Sequence, residues 1–215
     1  MKTSKTGLLS LAVATLLLVS ESVFPQATKT DIFGSGQITW LGLDFTQAKF
    51  IGSAFQFKDA GEITNEEFRD KYAPAWNQLF INEAKKYNVA EAVNRVEVKY
   101  ATDVTDKANS SIKDAVFTNN PDDYNKLSED KISHLVKSYD FKGNKGIGLL
   151  FFVDGLSKVK EEANVWVTFV NLDNKTVLLT KNVKGKAGGF GFRNYWAGAL
   201  NRILKDVKSD FKKWQ

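Results

Sequence analysis

The sequence predicts an α/β (α+β) sandwich: one mixed sheet of about five strands with helices packed on it. A closing β-hairpin followed by a long C-terminal amphipathic helix completes it. Three observations carry this reading. Strand-like and helix-like periodicities alternate along the chain, the order that builds a layered α/β domain. Two strand-like runs, 164–171 and 176–183, are separated only by the turn-rich tetrapeptide LDNK, which marks an antiparallel hairpin. Residues 192–214 place Tyr195, Trp196, Leu200, Ile203, Leu204, Val207 and Phe211 on one stripe, the spacing of a helix with one buried face.

The remaining elements follow in chain order. Residues 28–36 read as a loose start. Residues 37–45 (QITWLGLDF) form the first strand, with Ile38, Trp40 and Gly42 on one face and Thr39, Leu41, Leu43 and Phe45 on the other. Both faces are largely apolar, as in a strand covered on both sides. Thr64 to Glu67 has the spacing of a capping box, and Phe68, Tyr72, Trp76, Leu79, Phe80 and Ala84 continue it as an apolar stripe. Pro74 inside this stripe predicts a kink or a break, because proline lacks the helical N–H. Residues 95–102 alternate Val96, Val98 and Tyr100 against Glu97 and Lys99, a strand with one wet face. Residues 103–127 are polar and turn-rich and read as loop with short ordered pieces. Ser128 caps a helix carrying Ile132, Leu135, Val136 and Tyr139, and 146–153 (GIGLLFFV) reads as a buried central strand.

The N-terminus gives an address. Lys2 and Lys5 precede an uncharged apolar run, 7–19, followed by small and polar residues. This is the layout of a secretory signal peptide. The run is too short to span a bilayer, which takes roughly 20 apolar residues. Cleavage after Ser22 or Ala27 is expected, leaving 28–215 as a single domain with no integral membrane segment. The chain has no cysteine, which excludes a lipobox anchor and disulfide staples, so the domain must hold together by packing. Its 16 Phe and five Trp supply the rings for that, each burying roughly 150–250 Å². Export without disulfides points to the periplasm of a bacterium or its surroundings.

The same counts limit chemistry. His134 is the only histidine, so no Cys–His nucleophile, cysteine zinc site or His-rich catalytic zinc is available. No metal and no cofactor is expected, and a mid-helix surface histidine is the simplest role for His134. The net charge is +5, with both signs interspersed among 26% charged residues. That describes a soluble surface and no nucleic-acid groove.

Three features remain as candidate sites. Asp44, Asp103 and Asp154 each follow a predicted strand. Parallel strands would bring them to the sheet edge where α/β proteins bind ligands. Asp is also a preferred turn residue, so turn chemistry competes with a ligand, metal or hydrolytic role. The glycine-rich segment 185–191 (GKAGGFG) precedes the last helix. It lacks the phosphate-loop and dinucleotide spacings, so its glycines read first as permitting positive φ and close packing. Lys186 and Arg193 are the residues that would carry anion binding there. Trp40, Trp76, Trp166 and Trp196 fall on apolar stripes and read as core, whereas Trp214 reads as partly exposed. An exposed Trp or Tyr would suit a sugar ring.

The element order, with a late hairpin feeding a long helix, resembles small periplasmic α/β domains. These are the N-terminal domain of the Tol-system β-propeller protein and the lipoprotein activators of cell-wall synthases. The segments ITWLGLDF and GGFGFRNYWAGAL resemble those of an uncharacterised exported protein family of Bacteroidetes-type bacteria. The likeness implies a cell-envelope location and carries over no functional residue. The resulting expectation is a non-catalytic protein-interaction or accessory domain with an envelope protein as partner. The alternatives are a small-ligand or carbohydrate-binding module, or a metal- or carboxylate-dependent hydrolase using the three aspartates.

Overall fold

The computed structural model describes residues 27–57 and 61–215, so the expected signal segment lies outside the described residues except for Ala27. The architecture is mixed α/β, as the sequence predicts. Strands β1 (Ile38–Asp44), β2 (Lys49–Ile51), β3 (Lys99–Tyr100), β4 (Phe117–Thr118) and β5 (Ile147–Ser157) form a parallel set in the order β3-β1-β5-β2-β4. β5 then pairs antiparallel with β6 (Glu162–Asn171), and β6 with β7 (Thr176–Lys186). Because β6 runs along β5 from Ile147 to Ser157, β1 and β2 share the other edge of β5, one after the other. β3 and β4 lie outside them in the same way. The sheet is therefore five strands wide, with two of its positions filled by split strands.

Helices cover both faces. One face carries α2 (Ala73–Asn82), α3 (Val89–Ala92) and α6 (Gly191–Asp210), packed on an aromatic core that includes Trp40, Trp76, Phe80, Phe151 and Trp196. Trp40 stacks on Phe80 and meets Phe151 edge-on, both at 4.9 Å between ring centres. The other face carries α4 (Asp103–Asn109) and α5 (Glu129–Ser138) over Leu41, Leu150, Phe152, Ile132 and Val136. The α6 helix lies close to β7 because Gly185 has no side chain: a Cβ there would sit 2.5 Å from the Ala199 carbonyl oxygen.

The Thr64 cap forms, accepting from the Glu67 amide at 3.1 Å, while the Glu67 carboxylate pairs with Lys71 at 2.7 Å. It opens α1 (Asn65–Glu67). The break expected at Pro74 takes the form of a π-helical stretch, Phe68–Tyr72, which hands over to α2 with Pro74 in its first turn. The run is continuous, since the Ala73 amide donates to the Phe68 carbonyl, so the wider π turn accommodates a proline that lacks the helical N–H. Ser128 caps α5 as expected.

The structure corrects two readings. The first strand does not alternate regularly. Its pairing with β5 shifts between Trp40 and Gly42, and Gly42 sits at φ +105°. The bulge turns Leu43 and Phe45 to the side of Ile38 and Trp40, and leaves Leu41 on the opposite face. The strand expected over 95–102 shrinks to Lys99–Tyr100, with Val96 fully exposed. Beyond Trp40 the outer edge of β1 is taken by side chains instead of a strand. The short ordered pieces expected within 103–127 are α4 and β4.

Thr105 Oγ1 donates to the Leu41 carbonyl at 2.7 Å. Asn77 Oδ1 accepts from the Leu43 amide at 2.7 Å, Asn109 Nδ2 donates to the Leu43 carbonyl at 2.9 Å, and Asn109 Oδ1 accepts from the Phe45 amide at 2.7 Å. All three residues are buried. Together they replace the ladder bonds a longer β3 would have made, so no β1 edge amide is left unpaired there.

Candidate functional site

The bulge at Gly42 decides where Asp44 points. Asp44 ends β1 on the α5 side of the sheet and is 1% exposed. Its carboxylate accepts from the Tyr139 hydroxyl, which follows α5, and from the Thr46 amide at 2.6 Å. Burial pushes its pKa above the ordinary carboxylate value, and the Tyr139 and Thr46 hydrogen bonds oppose that only in part. The phenol of Tyr139 is driven up in turn, by burial first and then by the adjacent carboxylate. Above this pair lies a groove of about 350 Å³ between α4 and α5. Val104, Ala108 and Leu135 form apolar walls, and Lys107 stands at its rim, 2.8 Å from the Asp140 carboxylate.

The other two aspartates are placed differently. Asp103 lies in the first turn of α4, exposed, with its carboxylate 2.8 Å from Lys142 Nζ. Asp154 is not at a strand end: it sits inside β5, at the shift in pairing with β6 between Val153 and Gly155, and is fully buried. It accepts from the Lys126 amide at 2.9 Å, the Leu127 amide at 3.2 Å and Asn164 Nδ2 at 3.2 Å. That set clamps the segment before α5 to the sheet. Burial raises its pKa and the amide bonds oppose the rise. The three carboxylates thus have separate partners. Among the described residues no group of three His, Cys, Asp or Glu is placed to hold a metal ion.

The glycine-rich segment behaves as a packing device. Gly189 and Gly191 have φ +135° and +78°, and a Cβ on Gly198 of α6 would lie 2.0 Å from the Gly188 carbonyl oxygen. Arg193 is exposed and reaches only its neighbour Asn194, at 3.3 Å. It does not join Lys186, which instead lines a second groove of about 260 Å³ with Lys184, Arg202, Lys205, Glu162 and Asp206. Glu162 is held by the Tyr124 hydroxyl at 2.6 Å. None of the four cations forms a salt bridge with a described residue, and they outnumber the two acids of the groove. The groove borders β7, which pairs only with β6 among the described strands.

His134 is exposed on α5. Trp40, Trp76 and Trp196 are fully buried, while Trp166 and Trp214 are half-buried. A larger hollow, about 450 Å³, lies by Phe33 and Gln215, with Lys29 as its one charged side chain. The sequence reading missed Tyr139 as a polar partner, because it falls on the apolar stripe of α5. It also missed Arg202 and Lys205, whose three-residue spacing on the polar side of α6 was the available signal.

The fold and these two grooves define a mixed-sheet α/β domain with helices on both faces. Comparison with protein-family models, with curated proteins and with solved structures finds no match to this chain.

Proposed function

We propose that the chain is an exported, non-catalytic binding domain of the bacterial cell envelope that captures an acidic, extended segment of a partner protein along β7. The observation that carries this reading is the pairing of an open edge with an excess of positive charge. β7 is an 11-residue strand with a neighbour on one side only among the described residues. Lys184, Lys186, Arg202 and Lys205 stand beside it and outnumber the two acids of the groove, Glu162 and Asp206. An open strand edge offers main-chain hydrogen bonds to an incoming strand, and lysines along it repel a second copy of the same edge. An acidic segment would gain both the ladder and the charge. The address rests on the signal-like N-terminus. The described residues contain no helix long and apolar enough to cross a membrane.

The mature chain should bind poly-L-glutamate, and weaken as salt rises, since exposed charges are screened within roughly 10 Å at 0.1 M. The double variant K184E/K205E should lose affinity about tenfold or more. Equal affinity of variant and parent would overturn the reading. A second reading, a small-ligand module, is favoured by the buried carboxylate under the α4–α5 groove. The separate partners of Asp44, Asp103 and Asp154 give no support to a shared hydrolytic centre.

A further inference from the structure

From the α4–α5 groove we infer a second binding site, independent of β7, for a small organic cation: an ammonium or amidinium group on an apolar body. Four observations converge on that chemistry. Asp44 lies at the floor of a groove of about 350 Å³, almost wholly out of water. Its hydrogen-bond donors are all neutral, the Tyr139 hydroxyl and the Thr46 amide and side chain. The cations nearest the groove are spoken for: Lys107 pairs with Asp140 at 2.8 Å, and Lys142 with Asp103 at 2.8 Å. The walls are apolar, from Val104, Ala108 and Leu135.

A buried carboxylate without a counter-ion is costly, and a cation placed against it recovers much of that cost. The two carboxylate oxygens offer about four acceptor positions, and Tyr139 and Thr46 supply three donors. Room for a further donor therefore remains. A divalent metal is the poorer fit, because it takes several oxygen ligands, and no third acidic or imidazole group stands nearby among the described residues. An anion would meet Asp44 and Asp140. The apolar walls then favour an amine with a hydrocarbon body over a bare inorganic cation. The position at the end of β1, beside parallel β5, is where α/β sheets commonly bind ligands.

The test compares methylamine, butylamine and benzylamine with methanol, butanol and benzyl alcohol, by titration of the mature chain followed by amide NMR. The site predicts that at least butylamine or benzylamine binds about tenfold more tightly than its alcohol. Shifts should be centred on Thr46, Lys107 and Leu135. In Asp44→Asn that preference should fall to about onefold. If Asp44→Asn does not fold, Leu135→Trp, which fills the groove and leaves Asp44 in place, should abolish amine binding. The site is refuted if no amine outbinds its alcohol, if the shifts lie elsewhere, or if Leu135→Trp binds amines as the parent does. Saturable binding of Mg²⁺ or Ca²⁺ at these residues in preference to the amines would likewise overturn it.

Discussion

The hydroxyl of Tyr139 donates to the carboxylate of Asp44, joining the end of α5 to the end of β1 through a contact in which both residues are buried. The contact exists because the bulge at Gly42 turns Asp44 toward α5. A regular strand would have put Asp44 on the face of Trp40. Its consequences for stability are measurable.

Burial raises the pKa of Asp44 in the folded chain. The folded state therefore holds this proton more tightly than the unfolded state does. The stabilisation that follows is fully present below the unfolded value, about 3.9, and is lost as pH rises through the folded value. Subtracting the stability of Asp44→Asn isolates this contribution from those of other carboxylates. Urea unfolding at a series of pH values should show the parent-minus-variant difference falling as pH rises from about 4. A difference that grows with pH would mean Asp44 stabilises as an anion.

Gly42 is the hinge of that geometry. It has φ +105°, and a Cβ there would lie 2.3 Å from Thr105 Oγ1 and 2.8 Å from Asn77 Oδ1. Gly42→Ala combines backbone strain with overpacking and should cost about 3 kcal/mol or more. Denaturant titration measures it, and a loss under about 1 kcal/mol would show that the bulge relaxes freely.

Asp154 and Asp103 separate a structural carboxylate from a surface one. Asp154→Ala strips acceptors from the Lys126 and Leu127 amides and from Asn164. A loss of about 3 kcal/mol is expected, with faster hydrogen exchange at 126 and 127. Asp103→Ala breaks only an exposed pair with Lys142, worth about 0–1 kcal/mol. Equal losses for the two variants would contradict the assignment.

Asn77 bonds to both groups of Leu43, with its oxygen 2.7 Å from the amide. Asn77→Leu should destabilise by about 2–3 kcal/mol, because a buried amide loses its partner. The Leu43 amide should then exchange faster with solvent, while amides in β6 keep their protection.

Where local chemistry is sufficient, the structure follows the sequence. The LDNK turn, the Thr64 and Ser128 caps and the stripe of α6 each depend on residues within one or two turns. The short strands β2 and β4 were not legible, since two or three residues carry no period. The strand over 95–102 misled because alternation says nothing about whether a partner edge is free. That edge was filled by Asn77, Thr105 and Asn109, polar residues that on a helix read as solvent-facing. Asp44 was identifiable as a candidate, but its partner Tyr139 was hidden in an apolar pattern. Lys186 stands out in the sequence for the glycines beside it, while its neighbours in space, Arg202 and Lys205, come from the polar side of α6, distant in the chain.

The binding account stands most directly on the open edge of β7. Residue-resolved amide exchange of the chain, with and without saturating poly-L-glutamate, tests it. Strand addition predicts that outward-facing amides within 176–186 gain about tenfold or more in protection, while those of β5 stay unchanged. Saturable binding with no added protection along β7, or protection confined to the surface of α6, would contradict it.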